Sequence, residues 1–125
     1  MPSLALNNAF LLSTAAIHCG AKVIFVDSQK DSTEMDYDKV ADAITEKTKA
    51  VVAVDLAGII CDYDKLYAAV ESKKALFRAK EGNDLGARIQ QTIGRVLVFA
   101  DCAHALGASK NVQKMQNRLH NDANE

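Results

Sequence analysis

Three short apolar runs, each ending in an aspartate, constrain the fold of this chain more than any other feature. They are Lys22-Val23-Ile24-Phe25-Val26-Asp27, Ala50-Val51-Val52-Ala53-Val54-Asp55 and Val96-Leu97-Val98-Phe99-Ala100-Asp101. Each is rich in β-branched residues and apolar at consecutive positions. Such runs suit strands buried on both faces, as in parallel sheets, whereas a half-exposed antiparallel sheet would alternate. Helical patterns lie between them. Asp36 precedes Tyr37, Val40, Ala41 and Ile44, and Asp62 precedes Tyr63, Leu66, Tyr67 and Val70. Both sets follow the i, i+3, i+4, i+7 spacing of one apolar helix face. Asp is a good N-cap because its carboxylate accepts from backbone N–H groups left unpaired in the first turn. The order helix, strand, helix, strand, helix, insertion, strand predicts right-handed βαβ crossovers. The fold class is therefore α/β, with a parallel-sheet βαβ core and the three runs as adjacent strands.

The stretch from Leu4 to Ile17 is apolar but broken by Asn7, Asn8, Ser13 and Thr14. It is too short and too polar to span a bilayer, lacks the basic start and cleavage site of a signal peptide, and reads as a buried helix. Lys74 to Gly94 is largely polar and predicts an extension of the third helix and a short helix around Leu85 to Ile93. From Lys110 onward the chain is polar and predicts a disordered tail over 110–125.

The 125 residues suit one domain, and the apolar fraction of 49% allows a core. A net charge of −1 and the absence of Trp give no field or stacking surface for nucleic acid, and none for an anionic membrane. Cys19, Cys61 and Cys102 are odd in number and widely spaced, which fits reduced thiols in a cytoplasmic protein rather than disulfides or a zinc site.

In parallel α/β sheets, ligands bind beyond the carboxyl ends of the strands. Asp27, Asp55 and Asp101 fall there, although an Asp in such a position as often caps a turn. After Asp101 come Cys102-Ala103-His104-Ala105-Leu106-Gly107-Ala108, small residues around a His three positions on. One turn can bring Asp101 and His104 to one pocket, and small residues let a flat ligand approach the backbone. A carboxylate there could hold a cation or a protonated ring nitrogen, worth roughly 4 kcal/mol at ~4 Å and an effective dielectric of 20, before desolvation. His104 taken alone is more simply a hydrogen-bonded structural residue.

Val98 to Ala108 closely resembles a motif of the DegT/DnrJ/StrS aminotransferases, a fold-type-I pyridoxal-phosphate (PLP) family. So do Ile17 to Asp27, and Ala43 to Val51 continuing to Leu56-Ala57-Gly58 and Cys61-Asp62. The resemblance covers about Thr14 to Ser109. It implies that 1–109 form part of a PLP-transferase large domain, followed by the tail at 110–125. It implies that Asp101 pairs with the pyridine nitrogen of PLP, that Ala103 packs on the ring face and that His104 approaches the phenolic oxygen. The protonated ring then acts as an electron sink. The family commonly moves an amino group from glutamate to a nucleotide-linked keto sugar, in amino-sugar or cell-surface polysaccharide biosynthesis, and works as a homodimer.

The departures are informative. The family's Gly/Ser/Thr-rich phosphate turn is absent, and so is the Ser-Phe-rich stretch that carries its Schiff-base lysine. Lys110 and Lys114 lie in other contexts. Residues 1–13 and those after Lys110 fit the family poorly, as in a truncated or frameshifted reading frame, so no catalytic lysine is assigned and the chain alone is expected to be inactive. Family members often have His where this chain has Asp55. Rival readings are a non-catalytic small-molecule-binding α/β module, against which no G-x-G-x-x-G or P-loop follows any strand, and a non-functional remnant.

Overall fold

The computed structural model of the chain describes residues 3–6 and 10–110. Four parallel strands form one sheet: β1 (Ser3–Leu6), β2 (Lys22–Phe25), β3 (Thr48–Val54) and β4 (Leu97–Asp101), in the order β2-β1-β3-β4. The α helices are α1 (Phe10–His18), α2 (Tyr37–Ala43), α3 (Tyr63–Ser72) and α4 (Leu85–Ile93). Single 3₁₀ turns occupy Leu56–Gly58 and Lys74–Leu76. The α/β class and the parallel sheet are as the apolar runs predict, and α4 falls on the span expected for it.

Two expectations need correction. Leu4 to Ile17 is not one helix: Ser3–Leu6 is a strand, and the helix starts at Phe10. β1 pairs with β2 on one side and β3 on the other, Ala5 lying opposite both Ile24 and Val51. Backbone pairing on two sides outweighs the intrinsic helical preference of Leu and Ala, which tertiary context readily overrides. The three runs are consequently not all neighbours, because β1 separates the first from the second. The polar tail lies outside the described residues apart from Lys110.

Local caps operate as the sequence predicts. Asp36 accepts from the Lys39 N–H and Asp62 from the Lys65 N–H, both at 3.2 Å. Asp84 caps α4 through the Ala87 N–H at 3.0 Å, and Gly94 closes that helix in the left-handed region at φ 64°. The main core forms where α2 and α3 meet one sheet face: Val40, Ile44, Leu66 and Val70 pack with Val51, Ala53 and Val96. On the opposite face, Leu12 of α1 packs with Val23, Val52 and Val54. That face is incompletely covered, since Phe25 is 64% and Phe99 51% exposed. Burial of the runs on both faces thus holds for the middle of β3 and fails at β2 and β4, the two sheet edges.

Leu66 is fully buried, so Leu66→Ala is expected to cost roughly 2–5 kcal/mol in urea unfolding. Phe99→Ser should change stability by less than ~1 kcal/mol yet reduce self-association in analytical ultracentrifugation, because it removes exposed apolar surface next to an open strand edge. Equal destabilisation by the two substitutions would contradict this partition of the sheet.

Candidate functional site

Parallel pairing carries β3 and β4 to the same end of the sheet, where Val54 lies opposite Asp101. The pairing continues into the loops. Asp55 N–H donates to the Asp101 C=O, and Gly58 N–H to the His104 C=O, each at 2.9 Å. The loop after β3 therefore lies against the loop after β4. The first loop turns sharply because Ala57 (φ 54°) and Gly58 (φ 78°) both adopt left-handed backbone. For Ala57 that conformation costs about 1–2 kcal/mol, while a glycine adopts it freely.

The turn brings Cys61 back to Asp55. The Asp55 side chain is 2% exposed and fully partnered. Its Oδ1 accepts from the Cys61 N–H at 2.8 Å, both carboxylate oxygens lie 3.1 Å from the Tyr63 hydroxyl that donates to them, and Oδ2 accepts from the Cys102 thiol at 3.4 Å. Nearby, the Tyr37 hydroxyl accepts from the Asp62 N–H at 2.6 Å. Among the described residues no buried side-chain polar atom lacks a partner. Asp55 thus belongs to the architecture of the sheet end. Sequence reading missed Cys61, Tyr63 and Cys102 as its partners, because their spacing matches no recognisable pattern.

Asp101 ends β4, half-buried. Its Oδ1 accepts from the Ala103 N–H at 3.1 Å, a short Asx turn, and among the described residues its Oδ2 has no hydrogen-bond partner. Ala103 and His104 follow, both exposed, and the next turn closes through Ala105 N–H to the Cys102 C=O at 3.0 Å. One carboxylate with an open oxygen, one methyl side chain and one imidazole thus sit within four residues at the strand end. A carboxylate with a free oxygen can accept from the protonated nitrogen of a heteroaromatic ring. Asp27 is placed elsewhere: its exposed side chain pairs with Lys39 at 3.6 Å, and β1 separates its strand from β3. Two surface cavities also lie elsewhere. One of about 250 Å³ is lined by Ile89, Ile93 and Leu97 among others, and one of about 340 Å³ by Tyr37, Lys65 and Ala69 among others. No described group of three or more His, Cys, Asp or Glu could hold a metal ion.

Burial dominates the electrostatics around Asp55. It pushes the Cys61 thiol up to about 12, with the Asp55 charge adding to the effect. The Tyr63 and Tyr37 hydroxyls are raised well above the usual tyrosine range, again chiefly by burial. Cys102 is raised by desolvation, then by its hydrogen bond to Asp55 and the charges of Asp55 and Asp101.

The sequence model of the DegT/DnrJ/EryC1/StrS aminotransferase family matches residues 8–94. The chain belongs to this family. It is 40% identical over 70 residues to GDP-4-keto-6-deoxy-D-mannose 3-dehydratase of Yersinia pseudotuberculosis, covering 56% of this chain and 18% of that protein. It is 29% identical over 100 residues to GDP-perosamine synthase of Escherichia coli O157:H7, covering 79% of this chain and 22% of that protein. A protein of Streptococcus pneumoniae described as a sugar aminotransferase superposes with a TM-score of 0.74 at 40% identity, covering 85% of this chain and 25% of that one. It has also been solved in PLP and PMP forms, at TM-scores of 0.73. The chain thus spans about a fifth of these curated relatives and a quarter of the solved structure. Its sheet is a partial large domain of the fold-type-I architecture. The family match stops at residue 94 and does not reach the Asp101–His104 segment, whose position here is set by the pairing of β4 with β3.

The buried thiol makes stability sensitive to alkali. The folded state holds Cys61 protonated up to about 12, whereas an unfolded thiol ionises near 9. Above pH 9 the unfolded state binds fewer protons, so stability falls as pH rises, by about 1 kcal/mol per pH unit for this group. The expected result is a urea midpoint that holds up to pH 8.5 and declines above 9, with a shallower decline in Cys61→Ala. Native thiol titration should count Cys19 and Cys102, with Cys61 reacting only on unfolding. A third thiol reacting at the native rate would contradict the placement of Cys61.

Proposed function

We propose that this chain is the cofactor-side platform of a PLP-dependent aminotransferase acting on nucleotide-linked keto sugars, in amino-sugar or surface-polysaccharide biosynthesis. The observation that carries the reading is Asp101 at the carboxyl end of β4, with an open carboxylate oxygen and Ala103 and His104 in the next turn. Asp101 would hold the protonated pyridine nitrogen, Ala103 would lie against the ring and His104 would face the phenolic oxygen. PLP, when bound, supplies an electron sink for removal of a substrate proton. What the chain's own residues contribute is orientation and charge at the ring.

Its relatives support the substrate class. GDP-perosamine synthase and a UDP-4-amino-4-deoxy-L-arabinose–oxoglutarate aminotransferase are named for nucleotide sugars, and the dehydratase for a GDP-linked keto sugar. Glutamate as amino donor, a homodimeric intact enzyme and a cytoplasmic location complete the reading. Among the described residues no helix is long and apolar enough to cross a membrane.

The 125-residue chain alone is proposed to be inactive. Lys110, the described lysine nearest the site in sequence, has its Nζ engaged by Glu34 at 3.2 Å and the Ile60 C=O at 2.9 Å. Nothing in the sequence resembles the family's phosphate turn, and one carboxylate cannot offset the entropy of holding a small ligand. Two measurements check this. Titration with millimolar PLP is expected to shift the amide resonances of Asp101 to His104 before those of other segments. Shifts confined elsewhere would sink the cofactor assignment. Borohydride reduction with PLP should label surface lysines sparsely, and stoichiometric labelling of one lysine, lost in Asp101→Ala, would refute the inactivity.

A further inference from the structure

We infer that Asp55 is a positioning residue for the cofactor-facing turn, acting through the Cys102 side chain to set the direction in which Asp101 and Ala103 project. The inference rests on the reading of Asp101 and His104 given above. It starts from the strand register. Val54 lies opposite Asp101, so these two share a sheet face; Asp55 and Cys102 are the first residues after the two strands, and Asp55 turns to Cys61 and to Tyr63 of α3. The Asp55 carboxylate receives the Cys102 thiol at 3.4 Å, while its remaining bonds run to Cys61 N–H and Tyr63 Oη. One buried anion therefore joins three segments: the loop after β3, the first turn of α3 and the residue that separates Asp101 from Ala103.

That geometry has a directional consequence. Drawing Cys102 towards Asp55 leaves Asp101 facing the opposite side, where its Oδ1 caps the Ala103 N–H and its Oδ2 stays open. Two backbone bonds flank the thiol contact, Asp55 N–H to the Asp101 C=O and Gly58 N–H to the His104 C=O. The turn is thus pinned before, at and after Cys102. The pin is polar, and it depends on a charge that is 2% exposed. A buried carboxylate with its partners in place holds direction more strictly than an apolar contact, because each bond has an angular preference and each orphaned donor is costly. Apolar packing does the opposite, tolerating rotation of the segment it covers.

The test uses the full chain without cofactor, in a Cys19→Ser background, with Cys61 sheltered by burial. The Cys102 thiol bonds to Asp55, and the Asp101 carboxylate and the Tyr63 hydroxyl are near enough to interact with it electrostatically. Asp55→Asn keeps the shape and removes the charge. The Cys102 alkylation profile is then expected to move to lower pH, with the rate at pH 8 rising roughly threefold or more. Cys102→Ala deletes one donor and leaves the other two partners of Asp55 intact. It is expected to speed hydrogen exchange at the Gly58, Ala103 and Ala105 amides roughly threefold or more, with Val51 and Val70 unchanged, and Cys102→Ser should restore protection. An unchanged alkylation profile in Asp55→Asn, or unchanged exchange in Cys102→Ala, overturns the proposal. Where Asp55→Asn fails to fold, the Cys102→Ala and Cys102→Ser pair decides alone. Failure of the cofactor reading would appear instead in the PLP titration and would leave both of these readouts standing.

Discussion

Parallel pairing of β3 with β4 is the constraint on which the rest of the structure depends. Because both strands run the same way, their carboxyl ends and the loops that follow them emerge side by side. Each loop closes only a turn or two on itself, at Leu56–Gly58 and at Cys102 to Ala105, which leaves other backbone groups to find partners outside it. They find each other, through Asp55 to Asp101 and Gly58 to His104. The crossover between the two strands, with α3 packed on one sheet face, keeps this juxtaposition in place. A βαβ connection therefore does more than bury Leu66 and Val70. It makes a polar platform at one sheet edge from residues almost fifty positions apart.

The Asp55 cluster shows how that platform is made rigid. A buried carboxylate is costly unless every lone-pair direction is answered, and here a backbone N–H, a phenol and a thiol answer it. Removing the carboxylate would strand at least the Cys61 N–H and the Tyr63 hydroxyl, each at about 1–3 kcal/mol. By contrast the surface pairs, such as Lys65 with Asp62 at 3.7 Å and Lys74 with Glu71 at 3.4 Å, are solvent-screened and worth about 0–1 kcal/mol each. Polar stabilisation in this domain is thus concentrated at the end of the sheet where the candidate site lies.

What could be read from the sequence follows from how local each signal is. The Asp36 and Asp62 caps were legible because cap and helix occupy adjacent residues, and both occur as expected. The three apolar runs were legible because β-branched residues at consecutive positions have few other uses. β1 was not, because Ser-Leu-Ala-Leu has no β-branched residue and becomes a strand through pairing on two sides. The bare face at Phe25 and Phe99 was equally hidden, since an apolar run looks the same whether or not something covers it. Asp101, Ala103 and His104 were singled out by motif resemblance, not by spacing. The true environment of Asp55 was not, since its partners at 61, 63 and 102 come from three segments that only tertiary structure brings together.

The uncovered face and the candidate site are physically linked. The register puts Phe99 and Asp101 on the same side of β4, so the apolar surface left bare at Phe99 borders the carboxylate. In water a carboxylate and a ring cation ~4 Å apart attract by only about 1 kcal/mol, against roughly 4 kcal/mol at the effective dielectric of a protein surface cleft. Anything that covers Phe99 removes water from beside Asp101 and strengthens the attraction of that carboxylate for any neighbouring cation. The solved relative that this chain overlays is more than three times as long, and it has been obtained with PLP. Burial of the Phe99 face and the electrostatic competence of Asp101 are then one event: the same contact that satisfies the apolar sheet lowers the dielectric at the carboxylate. A half-exposed Asp101 on a half-covered sheet exerts only a weak field.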